Sequence, residues 1–314
     1  MSYNDFLKTI QTEISEKLGE RYSVSLKKVL KNNSVEFDAL IIRENETTVT
    51  PSIYLNSYYL EFKSGKTIEE IIDMVMNVYN SATEKLKEGT AFSISSGDFS
   101  EKVVFKLVNY GKNRELLKNS PYMRVNDLAV TFHYLATDNE EGVGMVRITD
   151  ANAGSFNIDR EHLWENARRN TERIFPPVTD EICDVLLRLA ESGPADTDAE
   201  CAGMQDEIRK MLSDDRHGLM YVLTNKKGMY GAACLLYEGV LEQLYEKFEG
   251  GFYIIPSSVN EVILIPEGEL EDPSVLEEMI GQVNREHVPE EEILSDRAYH
   301  YPEDSFAVED FCGI

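Results

Sequence analysis

The apolar pattern of the first eighty residues changes period twice, and this limits the possible folds more than any other feature of the chain. Phe6, Ile10, Ile14 and Leu18 recur at i, i+4 between Ser2 and Gly19, the pattern of a capped amphipathic helix. The period then drops to two. Tyr22, Val24 and Leu26 alternate, then Val35, Phe37, Ala39 and Ile41, then Val49 and Ile53, with turn-prone Asn32-Asn33 and Glu44-Asn45 between the runs. Thr67 and Glu70 form a capping box, and Ile68, Ile71, Ile72, Val75, Met76 and Tyr79 restore a helical stripe. The opening region therefore reads αβββα.

Small and polar residues at 88–99 mark a connection. Beyond it, Val103, Phe105 and Leu107 alternate, as do Leu128, Val130, Phe132 and Tyr134, and the DNEEG turn at 138–142 leads to a strand from Val143 to Ile148. Residues 159–173 and 179–191 read as helices divided by Pro176-Pro177. SGPADTD at 192–198 has linker composition, so the main boundary is expected there, between a region 1–192 and a domain 199–314. In the latter, Leu219–Leu223, the apolar run Met229–Leu236, FYIIP at 252–256 and EVILIP at 261–266 read as strands. Helices are read at Val240–Phe248 and Val275–Val283. The expected class is α+β, an αβββα-led N-terminal region followed by a compact ββαββα domain with mostly antiparallel sheets.

Charge narrows function. The net charge is −26, and residues 201–314 hold 8 basic against 24 acidic side chains. Such a field repels nucleic acid and anionic lipid, so direct binding to either is not expected, whereas a basic protein partner would be attracted. No run approaches the roughly 20 apolar residues of a membrane span, and the charged opening MSYNDFLKTIQTEISEKL does not read as a signal peptide. Cys183, Cys201, Cys234 and Cys312 are scattered without metal-ligand spacing, which fits a reducing cytoplasm and calls for no metal or other cofactor.

No motif announces a reaction, and whether the chain is an enzyme stays open. The best local arrangement is a pair of turns, Thr224 and Asn225 after one strand and Ser257, Ser258, Asn260 and Glu261 between two others. Converging, they would supply hydroxyls, amides and a carboxylate for a hydrolase or a binding site. Ordinary turn chemistry accounts for the same residues. Neither serine sits in a GxSxG elbow, so a base would come from elsewhere, and His133 on its alternating strand is the candidate. Arg168 and Arg169, near Trp164, form a basic stretch that could receive an acidic segment or merely balance neighbouring acids. Gly228 and Gly231 in KKGMYGAA do not match a P-loop, and DANAGSFNIDRE at 150–161 has its glycine one position early for a calcium loop.

The run MYVLTNKKGMYGAACLLYEGVLEQLYEKFEGGFYIIPSSVNEVILIP resembles the C-terminal signature LTN, YGAA, PSS of a family of unknown function from gut clostridia and relatives, and YNDFLKTIQTEI and VLKNNSVEFDALII resemble its N-terminal end. The resemblance implies a histidine in the PSS turn where this chain has Asn260, so a histidine-based activity is not carried over to it. The leading expectation is a non-enzymatic cytoplasmic binding or regulatory protein that meets a basic protein partner through its acidic C-terminal surface. The alternatives are a hydrolase at the two turns and a chaperone-like module acting as a homodimer.

Overall fold

The computed structural model describes residues 1–44, 50–88, 96–139, 142–155, 160–191, 220–256, 258–270, 272–304, 306–309 and 311–312. The chain forms two compact units, Met1–Ser95 and Ser96–Ile314.

In the first unit α1 (Tyr3–Leu18) starts where the Ser2 hydroxyl accepts from Asp5 N, and stops at Gly19 with φ +72°. Strands β1 (Tyr22–Leu30), β2 (Glu36–Glu44) and β3 (Ser52–Tyr54) form an antiparallel sheet in the order β1-β2-β3. The β1–β2 turn places Asn33 at φ +57°, a conformation its short polar side chain tolerates. Helix α2 (Asn56–Lys63) follows, then α3 (Ile68–Glu88). The capping box forms as expected, with Thr67 N donating to Glu70 Oε2 at 2.7 Å and Glu70 N donating to Thr67 Oγ1 at 3.2 Å. Phe6, Ile10 and Ile14 meet Leu40, Ile42, Ile71 and Val75 in one core. The unit is therefore αβββαα, one helix more than the αβββα expected.

The second unit contains α4 (Ser96–Lys102), β4 (Val103–Asn109), α5 (Arg114–Leu117), β5 (Tyr122–Val125), β6 (Leu128–Asn139), β7 (Gly142–Arg147), α6 (Asp150–Ser155) and α7 (Arg160–Ile174). It continues with β8 (Pro177–Glu181), α8 (Ile182–Glu191), β9 (Tyr221–Asn225), a 3₁₀ helix Gly231–Leu236, α9 (Val240–Lys247), β10 (Phe252–Ile255) and β11 (Val262–Pro266). The last elements are α10 (Leu276–Glu286), β12 (Tyr299–Tyr301) and β13 (Phe311–Cys312). Two antiparallel sheets result. One has the order β13-β5-β6-β4 with β7 also on β6, and the other the order β12-β10-β11-β9-β8. Helix α7 lays Trp164 on Phe105 and Phe132 of the first sheet, ring centroids 5.3 and 6.4 Å apart. It also caps the outer edge of β4, where Thr171 Oγ1 accepts from Phe105 N at 2.9 Å and Asn170 Nδ2 donates to Val103 O at 3.0 Å.

The fold is α+β, with every described strand pairing antiparallel. In the second unit its details depart from the expectation in several places. Met229–Leu236 is not a strand, because Tyr230 turns left-handed and Gly231 starts a 3₁₀ helix. Residues 179–181 belong to β8 rather than to a helix, because they pair with Tyr221–Leu223 of β9. That pairing puts both sides of the expected 192–199 boundary in one sheet. The linker 192–198 itself lies outside the described residues, and the two units part at Ser95 and Ser96, within the connection read at 88–99.

The acidic C-terminal stretch is not a tail. Leu276, Ile280, Ile293, Leu294 and Tyr299 are buried, the Tyr299 hydroxyl donates to Asp127 Oδ1 at 2.5 Å, and Ser295 Oγ donates to Asp127 Oδ2 at 2.7 Å.

Candidate functional site

The two candidate turns meet. Asn225 closes its own turn, Nδ2 donating to Met229 O at 2.8 Å and Oδ1 accepting from Lys227 N at 2.9 Å. Tyr230, at φ +56°, gives its N–H to Asn260 Oδ1 in the β10–β11 loop at 3.0 Å. The Asn260 carbonyl accepts from Gly231 N at 2.9 Å and from the Thr224 hydroxyl at 2.7 Å. On the far side of that loop, Ser258 Oγ donates to Glu261 Oε1 at 2.6 Å and accepts from Asn260 N at 3.0 Å.

Thr224, Asn225, Ser258, Asn260 and Glu261 are thus together, while Ser257 lies outside the described residues. Thr224, Ser258, Asn260 and Glu261 bond to one another and Asn225 to its own turn, and Asn225 and Ser258 are only 3% and 4% exposed. What the residues build is a clamp between two loops. The serine hydroxyl is held by a carboxylate and a backbone amide, not by the imidazole that a serine nucleophile ordinarily uses. Glu292 supports the clamp through its carbonyl, which accepts from Val259 N at 2.9 Å. Burial, then the charges of Glu261 and Glu291, raise its carboxyl above the usual glutamate range, against a lowering hydrogen bond with Asn260.

His133 faces a different partner. On β6 its Nε2 lies 3.0 Å from Thr131 Oγ1, and burial followed by the charges of Lys106 and Arg147 holds the ring well below the usual histidine range. Sequence patterning passed over Lys106. It occupies a buried position of β4 and places Nζ 3.3 Å from the centroid of the Tyr230 ring. The sequence signal was available in VVFKLVN, where one lysine interrupts the apolar run Val103–Val108.

A second feature that patterning missed is the outer face of α10. Leu276, Ile280, Gly281 and Asn284 point inward, and Asn284 Nδ2 donates to Ser295 O at 3.0 Å and to Asp296 Oδ1 at 2.7 Å. Val275 at the N-cap of α10, with Met279 and Val283 at i, i+4 along it, forms an outer row that is 42%, 57% and 45% exposed. Glu278, Gln282 and Glu286, three positions on from each, make the adjoining exposed row. An apolar ridge therefore runs beside acidic side chains.

A family of unknown function, DUF5688, matches residues 3–303. The chain belongs to DUF5688. No curated protein and no solved structure matches it. In this DUF5688 chain the remaining candidates are dispersed. Arg168 pairs with Glu238 at 3.4 Å and Arg169 donates to Asn166 Oδ1 at 3.0 Å, both on the exposed side of α7. Residues 150–155 of the calcium-like stretch form α6, and 156–159 lie outside the described residues. Among the described residues no group of His, Cys, Asp and Glu is placed to hold a metal ion. Burial pushes the Cys234 thiol up to about 12, which makes it a poor nucleophile. No described helix is long and apolar enough to cross a membrane.

Proposed function

We propose that this DUF5688 chain is a cytoplasmic binding protein that docks a basic, amphipathic segment of another protein on the outer face of α10. The observation that carries the proposal is the exposed row Val275, Met279 and Val283 beside Glu278 and Glu286. Apolar side chains supply the area that such a complex buries, and the acidic row selects a cationic partner and speeds its approach. The inward side of the same helix is anchored by Leu276, Ile280 and Asn284, so the docking face is presented on a rigid element. Free thiols at Cys183 and Cys234 support a reducing setting.

The hydrolase reading has the meeting of the two turns in its favour. Against it stand the burial of Ser258 and the pairing of its hydroxyl with Glu261.

The test is fluorescence anisotropy with an amphipathic Lys/Leu helix peptide beside a Glu/Leu peptide of the same pattern. Binding of the basic peptide alone is expected, weakened about tenfold or more by Met279→Asp with Val283→Asp, and weakened again by raising salt from 50 to 500 mM. Equal affinity in the double variant, or equal binding of both peptides, would overturn the proposal.

A further inference from the structure

The β4–β6–β7 part of the first sheet has two faces of opposite character. Phe105 and Phe132 face Trp164 of α7. On the other face, cross-strand register aligns His133 with Val104 and Arg147, and the next row aligns Thr131 with Lys106 and Tyr122. Two rows of one surface therefore place Lys106, Thr131, His133 and Arg147 beside one another.

Contacts confirm the juxtaposition. Thr131 Oγ1 is 3.0 Å from His133 Nε2 and 3.5 Å from the Lys106 carbonyl, and both Lys106 and Arg147 act on His133 as cations. Arg147 Nη1 donates to Leu116 O at 2.9 Å, and among the described residues Arg147 makes no ion pair. Burial lowers its pKa below the usual arginine range. A half-buried guanidinium in this position is unusual in a chain with a net charge of −26, which has carboxylates to spare for pairing. The fork of Arg147, the point charge of Lys106, the Thr131 hydroxyl and an imidazole able to become a donor are the groups that recognise a phosphate.

We infer that Lys106, Thr131, His133 and Arg147 form a binding site for a phosphate group carried by a small-molecule ligand. The site is separate from the α10 face and does not depend on the docking proposal. A bound phosphate dianion would offset the repulsion between the Lys106 and Arg147 cations and favour the imidazolium form of His133, which these charges and burial otherwise oppose.

The probe is inorganic phosphate, titrated into the full chain at constant ionic strength while the His133 ring protons are followed by NMR, with His133→Gln providing the assignment. A saturable shift is expected, together with an upward move of the His133 titration midpoint that sodium chloride at matched ionic strength does not produce. Arg147→Gln should weaken phosphate binding at least tenfold, and Arg147→Lys should recover part of the loss. Lys106→Met, checked by circular dichroism, is the second variant should Arg147→Gln fail to fold. The proposal is overturned by the lack of a saturable shift, by an equal effect of chloride, or by undiminished phosphate binding in a folded variant of either residue.

Discussion

Gly231→Ala should be among the most damaging single-methyl additions in the second unit. A Cβ at this position would run into Thr224 Oγ1 and the Asn260 carbonyl and would lie 2.8 Å from Thr224 Cα. Two of these three atoms are in or on the backbone, so rotating a side chain cannot make room. The loops must separate, which stretches the Gly231 N–H bond to Asn260 O and the Thr224 hydroxyl bond to the same atom, now 2.9 and 2.7 Å. Overpacking costs about 1–3 kcal/mol and each weakened hydrogen bond about 1 kcal/mol, giving a loss of roughly 3–5 kcal/mol. For a unit of this size that corresponds to a fall in Tm of about 6–20 °C, read from thermal unfolding followed by circular dichroism. Gly250→Ala is the matched control, because its Cβ would meet nothing within 4 Å, and it should change stability by no more than about 0.5 kcal/mol. A Gly231→Ala protein that melts within about 2 °C of the parent would show that the two loops are not clamped.

Two further predictions concern the same unit. Glu292 has a folded-state pKa raised above its unfolded value, so its ionisation opposes folding: the opposition is absent below the ordinary glutamate range and grows as pH rises through the raised value. Glu292→Gln should therefore melt higher than the parent at pH 8, with the difference closing as pH falls toward 4; an unchanged difference across that range would refute the assignment. A chain ending at Pro266 loses Leu276, Ile280, Ile293, Leu294 and Tyr299 from the core, worth roughly 8–15 kcal/mol as an upper bound and comparable with the whole stability of a domain. It should lose the near-ultraviolet circular dichroism of the second unit, and a retained cooperative transition would contradict this packing.

The parts of the fold legible in the sequence are those specified by neighbours along the chain. Ser2, Gly19 and the i, i+4 row of Phe6, Ile10 and Ile14 define α1 without help from elsewhere, and Thr67 with Glu70 starts α3 in the same way. Met229–Leu236 failed because an apolar run without a clear period does not separate a strand from a buried turn, and the left-handed Tyr230 is held by a residue thirty positions away. The meeting of the Thr224 and Asn260 turns could be anticipated from their placement at strand ends. Their mutual saturation could not, since it depends on individual donors and acceptors across the sheet. Composition misled for residues 267–301, where many acidic side chains concealed a few apolar residues that close the core.

Those closing residues also order the steps of folding during synthesis. Every strand of the β1-β2-β3 sheet lies within the first ninety-five residues, so that unit has all its pairing partners as soon as they leave the ribosome. The second unit must wait. Strand β5 pairs with β13 at Phe311–Cys312, β10 pairs with β12 at Tyr299–Tyr301, and Asp127 binds a tyrosine hydroxyl 172 positions later. Until translation has passed Tyr301, a nascent chain leaves one flank of β10 and the Asp127 carboxylate without these partners, and a product stalled before that point would expose the unfinished sheet to chaperones and proteases.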